Sequence, residues 1–186
     1  MFEELLVRIA AALSHHNLPY MIIGGQAVLL YGEPRLTKDI DVTLGLRIDR
    51  VDEVVAIARL LSLTPLPEDI PSFVRETMVL PVLEKKSGVR VDFIFSFTPY
   101  EAQAIARAKR IILSGQEVCF ASLEDLILHK IFAGRPRDFE DVRIMILKNP
   151  KSDKAYIRQW LKEFDDALPG RGFTDQFEKI LKESGS

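Results

Sequence analysis

The chain has 186 residues, 47% of them apolar, and a formal net charge of −2. That length suits one medium domain, or one domain with a small helical appendage; the charge excludes a strongly basic nucleic-acid coat but leaves room for a local basic patch. A single cysteine, Cys119, excludes an intramolecular disulfide and a cysteine metal cluster.

Residues 2–16 carry Leu5, Leu6, Ile9 and Leu13 at helical spacing, and Asn17-Leu18-Pro19 ends that helix. The opening MFEELLVRIAAAL is too acidic at its start for a signal peptide. No apolar run approaches the roughly 18–20 residues that span a bilayer, so a soluble, cytoplasmic protein without a membrane partner is expected. Residues 20–23 read as a buried strand, and 26–31 as a short helix that starts at Gly24-Gly25 and ends at Gly32 and Pro34. Residues 39–46 read as a strand. Residues 49–61 form a helix with Val51, Val54, Val55, Ala58 and Leu61 on one face. Pro65, Pro67 and Pro71 predict a loop. Residues 77–83 and 89–95 are two strands joined by the polar turn at 84–88, a hairpin by its turn chemistry. Residues 99–114, rich in Ala and Arg, predict a helix, and 117–120 a short strand in which Cys119 is a small buried hydrophobe.

From Ser122 the pattern turns helical. Ser122 reads as an N-cap before acidic first-turn residues and then Leu126, Ile127 and Ile131. Residues 134–136 break this helix. Further helices are expected at 138–147, 155–164 and 174–181, with a frayed tail at 182–186. The division that follows is an α/β core over 1–120 and a helical C-terminal region over 121–186, packed on the core.

The stretch from Gly24 to Val42, GGQAVLLYGEPRLTKDIDV, carries the chemistry. In a strand, side chains alternate, so Asp39 and Asp41 share one face while Ile40 and Val42 point into the core. Two carboxylates a few ångströms apart attract a hard divalent cation, and Mg²⁺ keeps room for substrate phosphates. A glycine pair opening a helix offers backbone N–H groups of Gly24, Gly25 and Gln26 to a phosphate. Together these are parts for binding a nucleoside triphosphate and transferring one of its phosphorus centres.

An apolar strand, Gly-Gly and then D-I-D on the next strand resembles the DNA polymerase β-like nucleotidyltransferase superfamily. Arg35-Leu36-Thr37-Lys38-Asp39-Ile40-Asp41 is similar to the R-x-T-x-D-I-D run of the abortive-infection toxin-like nucleotidyltransferases. EDLILHKIFAGRPRDFEDV is similar to their lysine-and-aspartate motif, with Lys130, Arg135, Asp138 and Asp141 at matching positions. The matched blocks span about residues 20–142. The resemblance implies an α+β nucleotidyltransferase fold, a small mixed sheet flanked by helices and followed by a helical part. It implies transfer of a nucleotidyl group from an NTP to a hydroxyl acceptor with Mg²⁺ or Mn²⁺. The third carboxylate of the superfamily corresponds to Asp92 in VRVDFIFS, where Val91 and Phe93 face the other side. Asp39, Asp41 and Asp92 are thus the expected metal ligands, with Asp92 sharing a second cation or acting as base. The nucleotide-binding set implied is Gly24, Gly25, Gln26, Arg35, Thr37 and Asp138, and Lys130 would act on the triphosphate as a point charge. The resemblance to the toxin-like relatives implies an RNA or tRNA acceptor and an antitoxin protein as partner. Many nucleotidyltransferases have Gly-Ser where this chain has Gly24-Gly25, so Gly25 must act through its backbone N–H alone.

Each reading has a plainer rival. Asp39 and Asp41 would otherwise be a solvated strand end, Asp92 a surface residue or partner of Arg90, and Lys130 an exposed helix lysine. Asp138 and Asp141 fit helix capping and pairing with Arg135, Arg137 or Arg143 equally well. His15, His16 and His129 lack metal-ligand spacing and read as solvated or core positions. Tyr156, Trp160 and Phe164 read as a helix's core face. Two rival functions stay open: a non-catalytic nucleotide-binding or regulatory protein, and transfer to a small molecule through an acidic cleft built from Glu68, Asp69 and Glu76. The Arg135–Arg137 run with Lys109 and Arg110 would serve an RNA acceptor as a modest phosphate-facing patch.

Overall fold

The computed structural model describes residues 2–34, 37–96 and 98–185. In chain order the elements are α1 (Phe2–His15), β1 (Tyr20–Ile23), α2 (Gly24–Tyr31), β2 (Asp39–Leu44), a single 3-10 turn (Ile48–Arg50) leading into α3 (Val51–Leu60), β3 (Thr64–Pro65), α4 (Ile70–Thr77), β4 (Val79–Glu84), β5 (Val89–Phe95), α5 (Pro99–Ala106), β6 (Lys109–Leu113), β7 (Gln116–Phe120), α6 (Leu123–Ala133), α7 (Pro136–Lys148), α8 (Lys154–Ala167) and α9 (Phe173–Glu183). The chain divides into two compact units, Met1–Gln26 with Leu36–Ala121, and Ala27–Arg35 with Ser122–Ser186. The α+β class expected from sequence is what forms.

The first unit holds one mixed sheet of seven strands among the described residues, in the order β3-β4-β5-β2-β1-β7-β6. Pairing of β2 with β5 and of β1 with β7 is parallel, and the other neighbours are antiparallel. Side chains alternate between a buried and a more open face along β5, and along β2 as far as Val42. Ile40, Val42 and Leu44 of β2, and Val89, Val91, Phe93 and Phe95 of β5, are buried on one face. Asp39 and Asp41, and Arg90 and Asp92, fall on the other. On β7 packs α1, which buries Leu5, Leu6, Ile9, Ala10 and Leu13.

Two stretches depart from expectation. The proline-rich segment expected as a loop contains β3 and α4. Asp69 caps α4 by accepting from the Ser72 N–H at 3.0 Å, and Pro71 falls in the first turn, where its missing N–H is no loss. The helix expected over 99–114 stops at Ala106, and Lys109–Leu113 forms β6 instead. Ser114 and Gly115 both have positive φ, 47° and 83°, the geometry of a two-residue hairpin turn. That turn folds β6 back on β7 and gives Ile111 and Ile112 a pleated surface suited to β-branched side chains. The expected hairpin at 84–88 is present, joining β4 to β5.

The second unit contains α6 to α9 and residues 27–35. Ser122 caps α6 as expected, accepting from the Asp125 N–H at 3.1 Å. Asp125 is fully buried, with its carboxylate taking hydrogen bonds from Ser122 Oγ and Tyr156 Oη at 2.6 and 2.8 Å. Asn149 Nδ2 donates to the Tyr31 carbonyl at 2.9 Å. Trp160 is buried as expected, and Phe132 stacks on Phe173 with ring centroids 5.3 Å apart.

Candidate active site

Strand register assembles the acidic face in the first unit. Ile23, the last residue of β1, lies opposite Asp41 on β2. Across the other edge of β2, Asp41 is the register partner of Asp92, and Asp39 of Arg90. Neighbouring strands lie about 4.8 Å apart, so like charges at Asp41 and Asp92 stand side by side. Asp39 is exposed, while Asp41 and Asp92 are half-buried. The three carboxylates singled out in the sequence therefore share one face of two adjacent strands.

Gly24 follows Ile23 directly and sits at φ +65°, where an L side chain is strained. A Cβ there would stand 1.9 Å from Asp41 Oδ2 and 2.9 Å from its Cγ. Gly24 thus does two things at once. It lets the chain turn from strand into α2, and it lets the backbone approach a carboxylate more closely than any side chain permits. First-turn N–H groups of an α-helix have no intrahelical acceptor, which suits this end for an anion. Gln26 is buried, and its Nε2 donates to the buried Thr37 Oγ1 at 2.6 Å. This bond ties the start of α2 to the residue two before Asp39, a link no sequence pattern announces. Lys38 is exposed, and Arg35 lies outside the described residues.

Arg90 brings a positive charge to this face. Its Nε donates to Asp92 Oδ1 at 2.7 Å, from a side chain half exposed to solvent. The guanidinium pKa is raised, chiefly by that hydrogen bond; burial opposes it, and the charges of Asp92, Asp39 and Asp41 add to the rise. The plainer reading of Asp92 as partner of Arg90 and the sharper one as part of an acidic site thus describe the same arrangement.

Carboxylate oxygens are hard donors, and the set fits a cation that takes one or two carboxylates and fills its remaining positions with water and phosphate. Among the described residues, no group of three or more His, Cys, Asp or Glu side chains forms a ready-made metal cage. A cation here would depend on ligands supplied by substrate.

Lys130, Asp138 and Asp141 form a cluster of their own in the second unit. Lys130 Nζ, on α6, lies 2.7 Å from Asp138 Oδ1 and 2.8 Å from Asp141 Oδ2, both on α7. All three side chains are buried, and Arg135 approaches Asp138 from the surface at 3.7 Å. Lys130 is not an exposed helix lysine, and Asp138 is not the cap of α7, whose N-cap position is Arg135. His129 is half-buried on α6, and burial lowers its pKa to about 4. No helix among the described residues is long and apolar enough to cross a membrane.

Solved structures share this fold. The antibiotic-resistance factor ANT(2'')-Ia aligns with 21% identity and a TM-score of 0.59, over 89% of this chain and 94% of that one. An antigenic nucleotidyltransferase-like protein from Paracoccidioides brasiliensis aligns with 17% identity and a TM-score of 0.56, over 97% and 91%. The lincosamide antibiotic adenylyltransferase LnuA aligns with 16% identity and a TM-score of 0.53, over 76% and 94%. No curated protein sequence matches the chain significantly. The family described as "Nucleotidyltransferase of unknown function (DUF6036)" matches residues 2–153. That span covers most of the chain and all of the acidic face, so the protein belongs to this nucleotidyltransferase family and is an enzyme of that class.

Proposed function

We propose that the chain binds a nucleoside triphosphate with a divalent cation at the Asp39, Asp41 and Asp92 face and transfers its nucleotidyl group to a hydroxyl acceptor. One observation carries this reading: the register that sets Asp41 beside Asp92 also brings the Gly24 turn against Asp41. Carboxylates for a cation and helix-start N–H groups for a phosphate thereby meet at one strand end.

In this reading Asp39 and Asp41 hold Mg²⁺ or Mn²⁺, which when bound neutralises charge on the triphosphate. The N–H groups at Gly24, Gly25 and Gln26 hold phosphate oxygens by backbone alone. The acceptor oxygen attacks the α-phosphorus. A new P–O bond forms as the bond to the bridging oxygen breaks, and pyrophosphate leaves with that electron pair. Asp92 shares the cation or takes the hydroxyl proton. Lys130 and Asp138 enter through the resemblance, Lys130 as a point charge for the triphosphate; in their own unit they stand as a buried ion cluster.

The similarity of the R-x-T-x-D-I-D run supports an RNA or tRNA acceptor, and with it a toxin role opposed by an antitoxin protein. A second reading, a small-molecule hydroxyl, draws on the fold likeness to two proteins named for antibiotics. Of the loop acids that would serve it, Glu68 and Glu76 are exposed and Asp69 caps α4. The deciding experiment supplies α-labelled NTPs and Mg²⁺ with total RNA in one arm and aminoglycosides and lincosamides in the other. Wild type is compared with Asp39→Asn and Asp41→Asn. Label on RNA that vanishes in both variants supports the first reading, and label on a small molecule the second. No label in either arm overturns both. Growth arrest on induction of the wild type but not of Asp41→Asn would support the toxin role.

A further inference from the structure

Arg90 has no part in the reaction as drawn, yet it stands among the three carboxylates. It is the register partner of Asp39, and it lies two residues before Asp92 on the same face of β5. Its Nε takes up Asp92 Oδ1 at 2.7 Å. An ion pair this exposed is held only weakly, because half of the Arg90 side chain is open to solvent. A divalent cation bound by Asp92 would compete for the same oxygen and stand close to the guanidinium charge.

We infer that Arg90 is an internal stand-in for the divalent cation: it neutralises the acidic face of the free protein and gives up Asp92 as the cation loads. The inference rests on the metal-dependent reading above. Its physical basis is direct. Three carboxylates on adjacent strands repel one another without a positive charge between them. The same charge opposes a metal ion, so metal binding by the free protein is weak. The arriving triphosphate, which brings both negative charge and oxygen ligands, shifts the balance toward the cation. A site of this kind loads metal with its nucleotide and holds little of it alone.

The test is Mn²⁺ binding to the full chain without nucleotide, followed by the electron paramagnetic resonance of free Mn²⁺. Removing a unit charge a few ångströms from a divalent ion is expected to tighten binding about tenfold or more. Arg90→Gln should show that gain, and Arg90→Lys, which keeps the charge, should stay near wild type. A second measurement needs only the wild type: the Arg90 Nε–H resonance should move as Mg²⁺ and a non-hydrolysable NTP are added together. Unchanged or weaker Mn²⁺ binding in Arg90→Gln, or equal tightening in Arg90→Lys, overturns the inference. If Asp41→Asn still abolishes binding in that case, the metal-dependent reading survives alone. Absence of Mn²⁺ binding in every variant, with and without nucleotide, removes both.

Discussion

The α-carbon of Gly24 lies against the carboxylate of Asp41, so closely that a Cβ would stand 1.9 Å from Oδ2. Gly24→Ala therefore cannot be accommodated without moving Asp41, and it also places an L side chain at φ +65°. The left-handed backbone alone costs about 1–2 kcal/mol. Displacing a positioned group by an ångström costs on the order of 10²-fold in rate. Transfer activity per folded molecule should fall by about that factor, with urea unfolding reporting the smaller stability loss. An alanine variant with full activity would refute the role given to this contact.

Gln26 and Thr37 are coupled by a buried 2.6 Å hydrogen bond. Removing either partner leaves the other unsatisfied, at about 1–3 kcal/mol. The cycle of Gln26→Ala, Thr37→Val and the double variant should give a coupling energy of about 1 kcal/mol in urea unfolding. Each single variant should also raise KM for the NTP, because the bond ties the helix start to the residues leading into Asp39.

Much of this face was legible in the chain itself. The D-I-D alternation reports which side of the strand is buried, and Ile40 and Val42 are indeed fully enclosed. VRVDFIF reports the same of Asp92. Register is not legible: nothing in the sequence says that Asp92 rather than a neighbour pairs with Asp41. Short strands were the other loss. The Ala-rich opening of α5 masks β6, because helix propensity in 99–106 runs straight into a segment whose Ser-Gly turn outweighs it. The clasp of Lys130 by Asp138 and Asp141 needed two helices brought together, and spacing along one helix cannot report it.

Lys130 is buried between two carboxylates at 2.7 and 2.8 Å. Truncating a buried ion-pair partner costs roughly 3–5 kcal/mol, since the remaining charge is left without compensation. Lys130→Met should therefore be strongly destabilised in urea unfolding. Lys130→Met combined with Asp138→Asn and Asp141→Asn should recover much of that loss. If activity per folded molecule stays low in the recovered variant but not in Asp138→Asn with Asp141→Asn and Lys130 intact, Lys130 acts on the triphosphate as well as on the fold.

Asp41 and Asp92 are register partners of like charge. Opposed like charges on neighbouring strands are destabilising by up to about 1 kcal/mol, so Asp41→Asn should abolish transfer while losing little stability. Thermal unfolding read beside the transfer assay checks both halves. A destabilised Asp41→Asn would show that its carboxylate is held chiefly by structural partners.

His129 is half-buried in the helical unit, and desolvation, partly offset by Asp125, lowers its pKa to about 4 from the ordinary 6.5. The unfolded chain takes up the proton near the ordinary value, but the folded chain resists it until about pH 4. Between those limits the unfolded state binds more protons, so stability rises with pH and is lost as pH falls through that window. The full shift corresponds to roughly 3 kcal/mol. Carboxylates with lowered pKa, Glu84, Glu140, Asp165 and Glu178, lose their contributions only further down, below their ordinary range. The decline from pH 6.5 to 5 therefore isolates the histidine. Urea midpoints should drop across that interval in the wild type and stay nearly level in His129→Leu. An equal drop in both proteins would mean that the imidazole is protonated, or reached by solvent, in the folded state.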